Sequence, residues 1–433
     1  MTSNSLARAS LGAIVTAVLA TAALAPLEAQ TADPHMAKAR RILRTTPLVD
    51  GHNDLPWYIR EEVKSAPRDV EAYDLRTRTA GNTDLARLRQ GMVGGQFWSV
   101  YIPGEVKDSG YARIQLEQID IARRIIEKYP DALQPALTAA DVRRAKAAGK
   151  IGSILGMEGG HAIENSLGAL RAYFDLGVRY MTLTHNVTLD WADAANDSAK
   201  HGGLTKFGEE VVREMNRLGM LVDLSHVSPG VMSDALNVAE APVIYSHSGA
   251  RAIADVPRNV PDSILARLPK NGGVVMVVFF PGFISQAVAS HDAERGRVMQ
   301  AAAQRTPNDS AAVARAMGEW DATHPRPKTS VKDVADHIEH IRKVASVDNI
   351  GLGSDFDGTG NDLPVGLEDV SKFPAILAEL SRRGWSDADL RKVAGENVLR
   401  AMRQAERVAA RLRKERKPST KTIEQLDGKG PKM

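Results

Sequence analysis

Short apolar runs along this 433-residue chain end repeatedly in a side chain that could bind a metal ion or move a proton. The first reads Asp50-Gly51-His52-Asn53-Asp54. Alternate residues of an extended chain share a face, so His52 and Asp54 point the same way and suit one cation. Another run ends Leu155-Gly156-Met157-Glu158, followed by two glycines that let backbone approach closely. A lone carboxylate closing a buried strand is costly unless it is paired or binds a metal. Bound through both oxygens, such a Glu can bridge two cations. Two later runs end Leu224-Ser225-His226 and Tyr245-Ser246-His247, and Thr184-His185-Asn186 supplies a third histidine at a matching place. One histidine so placed would be a satisfied core residue. Several in successive units are hard to explain that way.

The last run, Gly351-Leu352-Gly353-Ser354-Asp355, puts two glycines and a carboxylate on one face. The glycines clear space and Asp355 enters it. Asp357 follows two residues on; Asp355 is favoured as the reacting carboxylate because its parity matches the glycines. The chain has no cysteine. That excludes disulfides, thiolate zinc sites and Cys nucleophiles together. A set of His and carboxylate donors alone is what zinc or a similar divalent ion prefers. His161 and His201 fall in loops near this set. His35, His291, His324, His337 and His340 lack the placement and are expected at the surface.

Eight β-like runs must position these groups: 47–54, 92–102, 151–158, 180–185, 220–226, 242–247, 273–280 and 350–355. Segments of helical period lie between them, among them 114–129, 209–217 and 331–344. Strands alternating with helices imply a parallel sheet, and eight such units predict closure into a (β/α)8 TIM-type barrel. Such a barrel gathers its strand ends at the C-terminal face, where catalytic sites sit. The stretch 281–328, Ala-rich and charged, is long for one connection and predicts a helical insertion after strand 7.

Hydrophobic residues make up 43% of the chain and the formal net charge is +3. Eight Lys/Arg against three Asp/Glu lie from Arg411 onward, so the body is near neutral, which argues against a nucleic-acid protein. Residues 1–29 read as a secretory signal peptide. Arg8 precedes an apolar run of about fifteen residues, short of the roughly twenty a bilayer span needs. The barrel domain is expected over 36–403, and 404–433 as the end of the last helix, to about Arg416, followed by a basic disordered tail. Export to the periplasm or medium follows from the signal peptide, with no membrane span after its removal.

The segments LVDGHNDLPW, GMEGGHAIEN, LTHN, GLTKFGEEVVREMNRLGMLVDLSHVS, SHSGAR, PRNVPD, GLGSDFDG and GENVLR, in that order from Leu48 to Arg400, resemble the renal (membrane) dipeptidase family. The resemblance implies a metallo-dependent hydrolase with two zinc ions per chain. It assigns His52 and Asp54 to the first zinc, Glu158 to the bridge, and His226 and His247 to the second. It implies substrate contact by His185, a carboxylate-binding role for Arg258, and acid/base work by Asp355. The implied reaction is hydrolysis of a dipeptide by a hydroxide shared between the metals, with His185 steadying the oxyanion. Some relatives have Tyr where this chain has Phe279-Phe280, so no hydroxyl contact is expected there. The family's vertebrate members carry disulfides and a C-terminal lipid anchor; this chain lacks the cysteines and the hydrophobic stretch an anchor needs. Expected partners are a small dipeptide and, as an open alternative, a second copy of the chain. Other binuclear barrel hydrolases, acting on N-acyl amino acids, β-lactams or lactones, and a non-catalytic peptide-binding protein stand as alternatives.

Overall fold

A computed structural model describes residues 33–61, 68–106 and 110–428. The expected signal peptide lies outside these residues. Eight strands form the centre: β1 (Leu48–Asn53), β2 (Val93–Ser99), β3 (Ile151–Glu158), β4 (Val178–Thr182), β5 (Leu221–Asp223), β6 (Ile244–Ser248), β7 (Val274–Val277) and β8 (Ile350–Leu352). Each pairs in parallel with its neighbours in chain order, and β8 returns to β1 through Asp50 and Leu352. The sheet is therefore a closed (β/α)8 barrel, as expected. Most of these strands are buried along their whole length, which is why they read as continuous apolar runs and not as alternating ones. A three-residue strand, Leu133–Pro135, also pairs with β3 ahead of β4. It is too short, and ends in a proline, to have registered as an apolar run.

Helices cover the outside. Tyr111–Lys128 buries Ile114, Ile119, Ile121, Ile125 and Ile126. Lys206–Leu218 starts at a Thr205 cap and stops at Gly219, whose left-handed φ of 86° suits glycine. Val331–Val344 begins in a capping box between Ser330 and Asp333. Inside the barrel, Phe97, Ile154, Tyr180, Ile244 and Met276 form one apolar cluster with Val398, Leu399 and Met402 of the helix Asn397–Glu415. That helix closes the end where the strands begin, and the opposite end stays open for chemistry. The predicted insertion is present as Pro281–Ile284, Gln286–Arg305 and Ser310–Thr323. No helix among the described residues is long and apolar enough to cross a membrane.

Two expectations are corrected. The segment after Arg416 is not a disordered tail as far as Gly428. It folds back as a helix, Ile423–Asp427, and Asp427 accepts hydrogen bonds from Thr205 Oγ1 (2.7 Å) and the Phe207 N–H (3.3 Å) at the start of Lys206–Leu218. A carboxylate there satisfies orphan donors and complements the helix dipole. His337 is not at the surface but fully buried. Its Nδ1 accepts the Ala250 N–H (2.8 Å) and its Nε2 faces the Ile284 carbonyl (3.2 Å).

Candidate active site

The C-terminal ends of β1, β3, β5 and β6, or the residues just beyond them, bring His52, Asp54, Glu158, His226 and His247 together. Ligand atoms of two triplets, His52/Asp54/Glu158 and Glu158/His226/His247, lie within 4.8 Å of one another, and all are buried. Glu158 divides the two. Its Oε2 is 3.4 Å from His52 Nε2, while its Oε1 is 3.0 Å from His226 Nε2 and 3.4 Å from His247 Nε2. His52 Nε2 is also 3.3 Å from Asp54 Oδ2. The fold thus brings together the five residues that the family resemblance assigns as ligands, and a further triplet, His52/His247/Asp355, lies within the same distance.

This donor set fits divalent cations. His52 Nε2 and Asp54 Oδ1 are buried without a hydrogen-bond partner, and such atoms are costly unless something binds them. Burial works against charge on His52, but Tyr180, Glu158 and Asp54 overcome it and hold the imidazole well above its ordinary range. The Glu158 and Asp54 carboxylates that favour a proton on Nε2 also favour a cation there. Each imidazole is fixed from behind: His52 Nδ1 lies 2.8 Å from Tyr180 Oη, His247 Nδ1 2.8 Å from Ser246 Oγ, and His226 Nδ1 3.3 Å from Asn186 Oδ1. Outer partners of this kind orient metal-binding histidines and fix their tautomer. Tyr180 reaches His52 only because Gly156 has no Cβ, which would collide with the phenol ring.

Asp355, just beyond β8, sits 4.0 Å from His52 Nε2. Burial and the nearby charges of Asp54 and Glu158 push it up to about 7, against the pull of His52 and Arg258. It is therefore poised to take and give a proton near neutrality. Asp355 and His226 both have left-handed backbone, with φ of 66° and 67°. Such conformations cost roughly 1–3 kcal/mol each and cluster at functional sites. Asp357 shares the left-handed backbone, with φ 64°, but its Oδ1 accepts the Asn82 N–H at 2.6 Å and it makes no contact with the histidines. Strand parity is the same for both aspartates, so it was not a sound reason to prefer Asp355; the distance to His52 is.

Asp54, Glu158, His226, Asp355 and Asp357 line a cavity of about 490 Å³, together with Trp57, Tyr101, His185, Asn186, Phe280 and Phe283. Arg258 lies at its wall, 2% exposed, with its guanidinium 5.1 Å from the Phe283 ring centre. Its Nη2 reaches the His247 carbonyl at 3.4 Å, while Nε and Nη1 have no partner. Burial lowers it only to about 10, so it stays charged. The His185 ring lies tilted 4.7 Å from that of Tyr101 and 4.3 Å from that of His226, and burial lowers its pKa, which keeps it neutral. His161 and His201 are spent on backbone carbonyls, of Ile102 (2.9 Å) and Leu189 (3.0 Å). Neither contacts a proposed ligand. Phe280 brings no hydroxyl to the cavity, as expected.

Residues 36–416 match the membrane dipeptidase family, peptidase family M19. The chain belongs to that family. It is a metallopeptidase that hydrolyses dipeptides. It is 41% identical over 382 residues to mouse Dipeptidase 3, covering 87% of this chain and 68% of the mouse one. The rat Dipeptidase 3 is also 41% identical, with 69% of its length covered. Among solved structures, a probable dipeptidase from Pseudomonas aeruginosa superposes with a TM-score of 0.72 at 24% identity, over 87% of this chain and 99% of that one. A metallopeptidase from Rhodobacter sphaeroides, solved with a phosphinate mimic of L-Ala-D-Ala, gives 0.67 at 24% identity, over 83% and 99%. At that identity these two speak for the fold. The residues that sequence reasoning passed over are the outer ones: Tyr180, Ser246 and Asp223. Tyr180 and Thr182 share the inward face of β4, a signal that parity could have given.

Proposed function

We propose that this dipeptidase works with two zinc ions, held by His52 and Asp54 on one side, by His226 and His247 on the other, and by Glu158 between them. The observation that carries this is the opposed aim of the two Glu158 oxygens, one at each histidine set. The cations would supply Lewis acidity, lowering the pKa of water and polarising the scissile carbonyl. Arg258, charged and with two free nitrogens at the cavity wall, takes the C-terminal carboxylate of the substrate in a charge-assisted pair. His185, neutral, donates an N–H hydrogen bond to the carbonyl oxygen as negative charge grows there. Asp355 accepts the proton of the attacking water and delivers it to the leaving amine nitrogen, so that a C–O bond replaces the C–N bond and two amino acids depart.

Clamping the C-terminus beside the metals leaves room for one residue on the leaving side of the scissile bond, and the walls of the cavity limit the acyl side. Together these favour dipeptides over longer chains. The Rhodobacter protein's phosphinate mimic of L-Ala-D-Ala supports a substrate of this size and leaves L,D-dipeptides in the panel. We further read the protein as exported. The test is metal content of the purified protein together with hydrolysis of L,L- and L,D-dipeptides, their C-terminal amides and a tripeptide. Two zinc equivalents and selective cleavage of free dipeptides are expected. Equal cleavage of the amides would sink the clamp, and equal cleavage of the tripeptide would sink the size limit.

A further inference from the structure

We propose that Asp223, acting through Ser246, locks His247 in the tautomer that frees its Nε2, and so sets how tightly the second metal position is held. The inference rests on the binuclear reading above. Asp223 ends β5 and is completely buried. Its Oδ1 accepts the backbone N–H of Ser225 (3.1 Å) and of Ser246 (2.8 Å). Its Oδ2 accepts the hydroxyls of Thr182 (2.5 Å) and Ser246 (2.6 Å). Four donors fill the four acceptor positions of a carboxylate. The Ser246 proton is thereby committed to Asp223, and the Ser246 oxygen is left to accept from His247 Nδ1 at 2.8 Å. Its contact to Ser225 Oγ is longer, 3.4 Å, and that oxygen already takes the His247 N–H at 3.0 Å. With Nδ1–H engaged, Nε2 carries the lone pair, 2.9 Å from His226 Nε2 and 3.4 Å from Glu158 Oε1.

The barrel repeats this device once, which separates positioning from mere stapling. Asp50 on β1 accepts the N–H and hydroxyl of Ser354, both at 2.7 Å, and the Gln96 amide at 2.8 Å. The aspartates occupy the same place in two like segments, Leu48-Val49-Asp50 and Leu221-Val222-Asp223. Each ties down a serine that immediately precedes a site residue: Ser354 before Asp355, Ser246 before His247. The two differ in what the serine oxygen touches next. Ser246 meets a ligand imidazole, whereas Ser354 meets the backbone carbonyl of His52 at 3.2 Å. If the serines only staple strands, their loss should have equal consequences. If Ser246 fixes a tautomer, only its loss should loosen a metal.

Zinc affinity is measured on the mature protein by chelator competition, without reference to activity, for the parent, Ser246→Ala, Ser246→Thr and Ser354→Ala. Ser246→Ala should hold one equivalent normally and the other roughly ten- to a hundred-fold more weakly, the range seen when such an outer partner is lost. Ser246→Thr, which keeps the hydroxyl, should restore it. Ser354→Ala should bind both as the parent does. Parental affinity in Ser246→Ala overturns the inference, and so does an equal loss in Ser354→Ala. A parent that binds fewer than two equivalents removes the binuclear reading itself, and this inference with it.

Discussion

The phenol oxygen of Tyr180 stands 2.8 Å from His52 Nδ1, on the far side of the ring from Asp54 and Glu158. The proposed first metal position is thus backed by a phenol where the proposed second is backed by a serine and an aspartate. Tyr180→Phe keeps the packing against Phe97 and removes only the contact to His52. We expect it to lower zinc affinity at the first position about tenfold. Metal competition checks this, and unchanged affinity would show that ring packing alone orients His52.

Glu158 lies within 3.4 Å of both histidine sets, so its loss should disturb both metals. Glu158→Gln should cut bound zinc from about two equivalents to one or none. Chelation of the parent should abolish turnover, and zinc should restore it. Full activity in a demonstrably metal-free preparation would refute the metal mechanism.

Both aspartates line the cavity, but Asp355 is 4.0 Å from His52 Nε2, while Asp357 is tied to Asn82. Asp355→Asn should keep both metals and lose on the order of 10²–10⁴ in kcat, the usual scale of acid–base catalysis. Asp357→Asn should cost less in kcat. A reversal of the two would move the proton-transfer role to Asp357.

Arg258→Ala should leave metal content intact and reduce kcat/KM for free dipeptides by roughly 2–4 kcal/mol, most of it through KM. The variant should no longer distinguish a dipeptide from its C-terminal amide. Retained discrimination would mean that another group reads the carboxylate and that Arg258 only braces the loop after β6.

His337 joins that loop, through Ala250, to Ile284 at the start of the insertion. Burial holds its pKa down to about 4 from 6.5. As pH falls below 6.5 the unfolded chain takes up the proton first, so the neutral buried ring favours folding fully above that pH. The contribution is lost progressively between 6.5 and 4, up to about 3 kcal/mol. In denaturant melts at pH 7.5 and 5, His337→Gln should be less stable than the parent at the higher pH and lose less on acidification. Parallel losses in the two proteins would assign the acid sensitivity to other groups.

All eight barrel strands, and the His and carboxylate side chains that close them, could be read from the chain because each depends on local pattern; which of those side chains would hold a metal came from the family resemblance. An apolar run marks a strand buried on both faces. A His or carboxylate closing such a run marks the barrel mouth, and alternation puts His52 and Asp54 on one side. Folding decided what depends on distant neighbours. Asp223 and Asp50 read only as strand residues until the adjacent strands bring them Ser246 and Ser354. His337 looked like one more polar residue on an amphipathic helix, yet Ala250 and Ile284 bury it. The capping box of Thr422 and Gln425 is local and could have signalled the last helix. Its docking could not be foreseen, because Asp427 finds its donors at Thr205 and Phe207, more than two hundred residues away. Sequence pattern specifies which faces are buried; only the closed barrel determines which buried polar groups meet, and those meetings set the tautomers and charges on which the site depends.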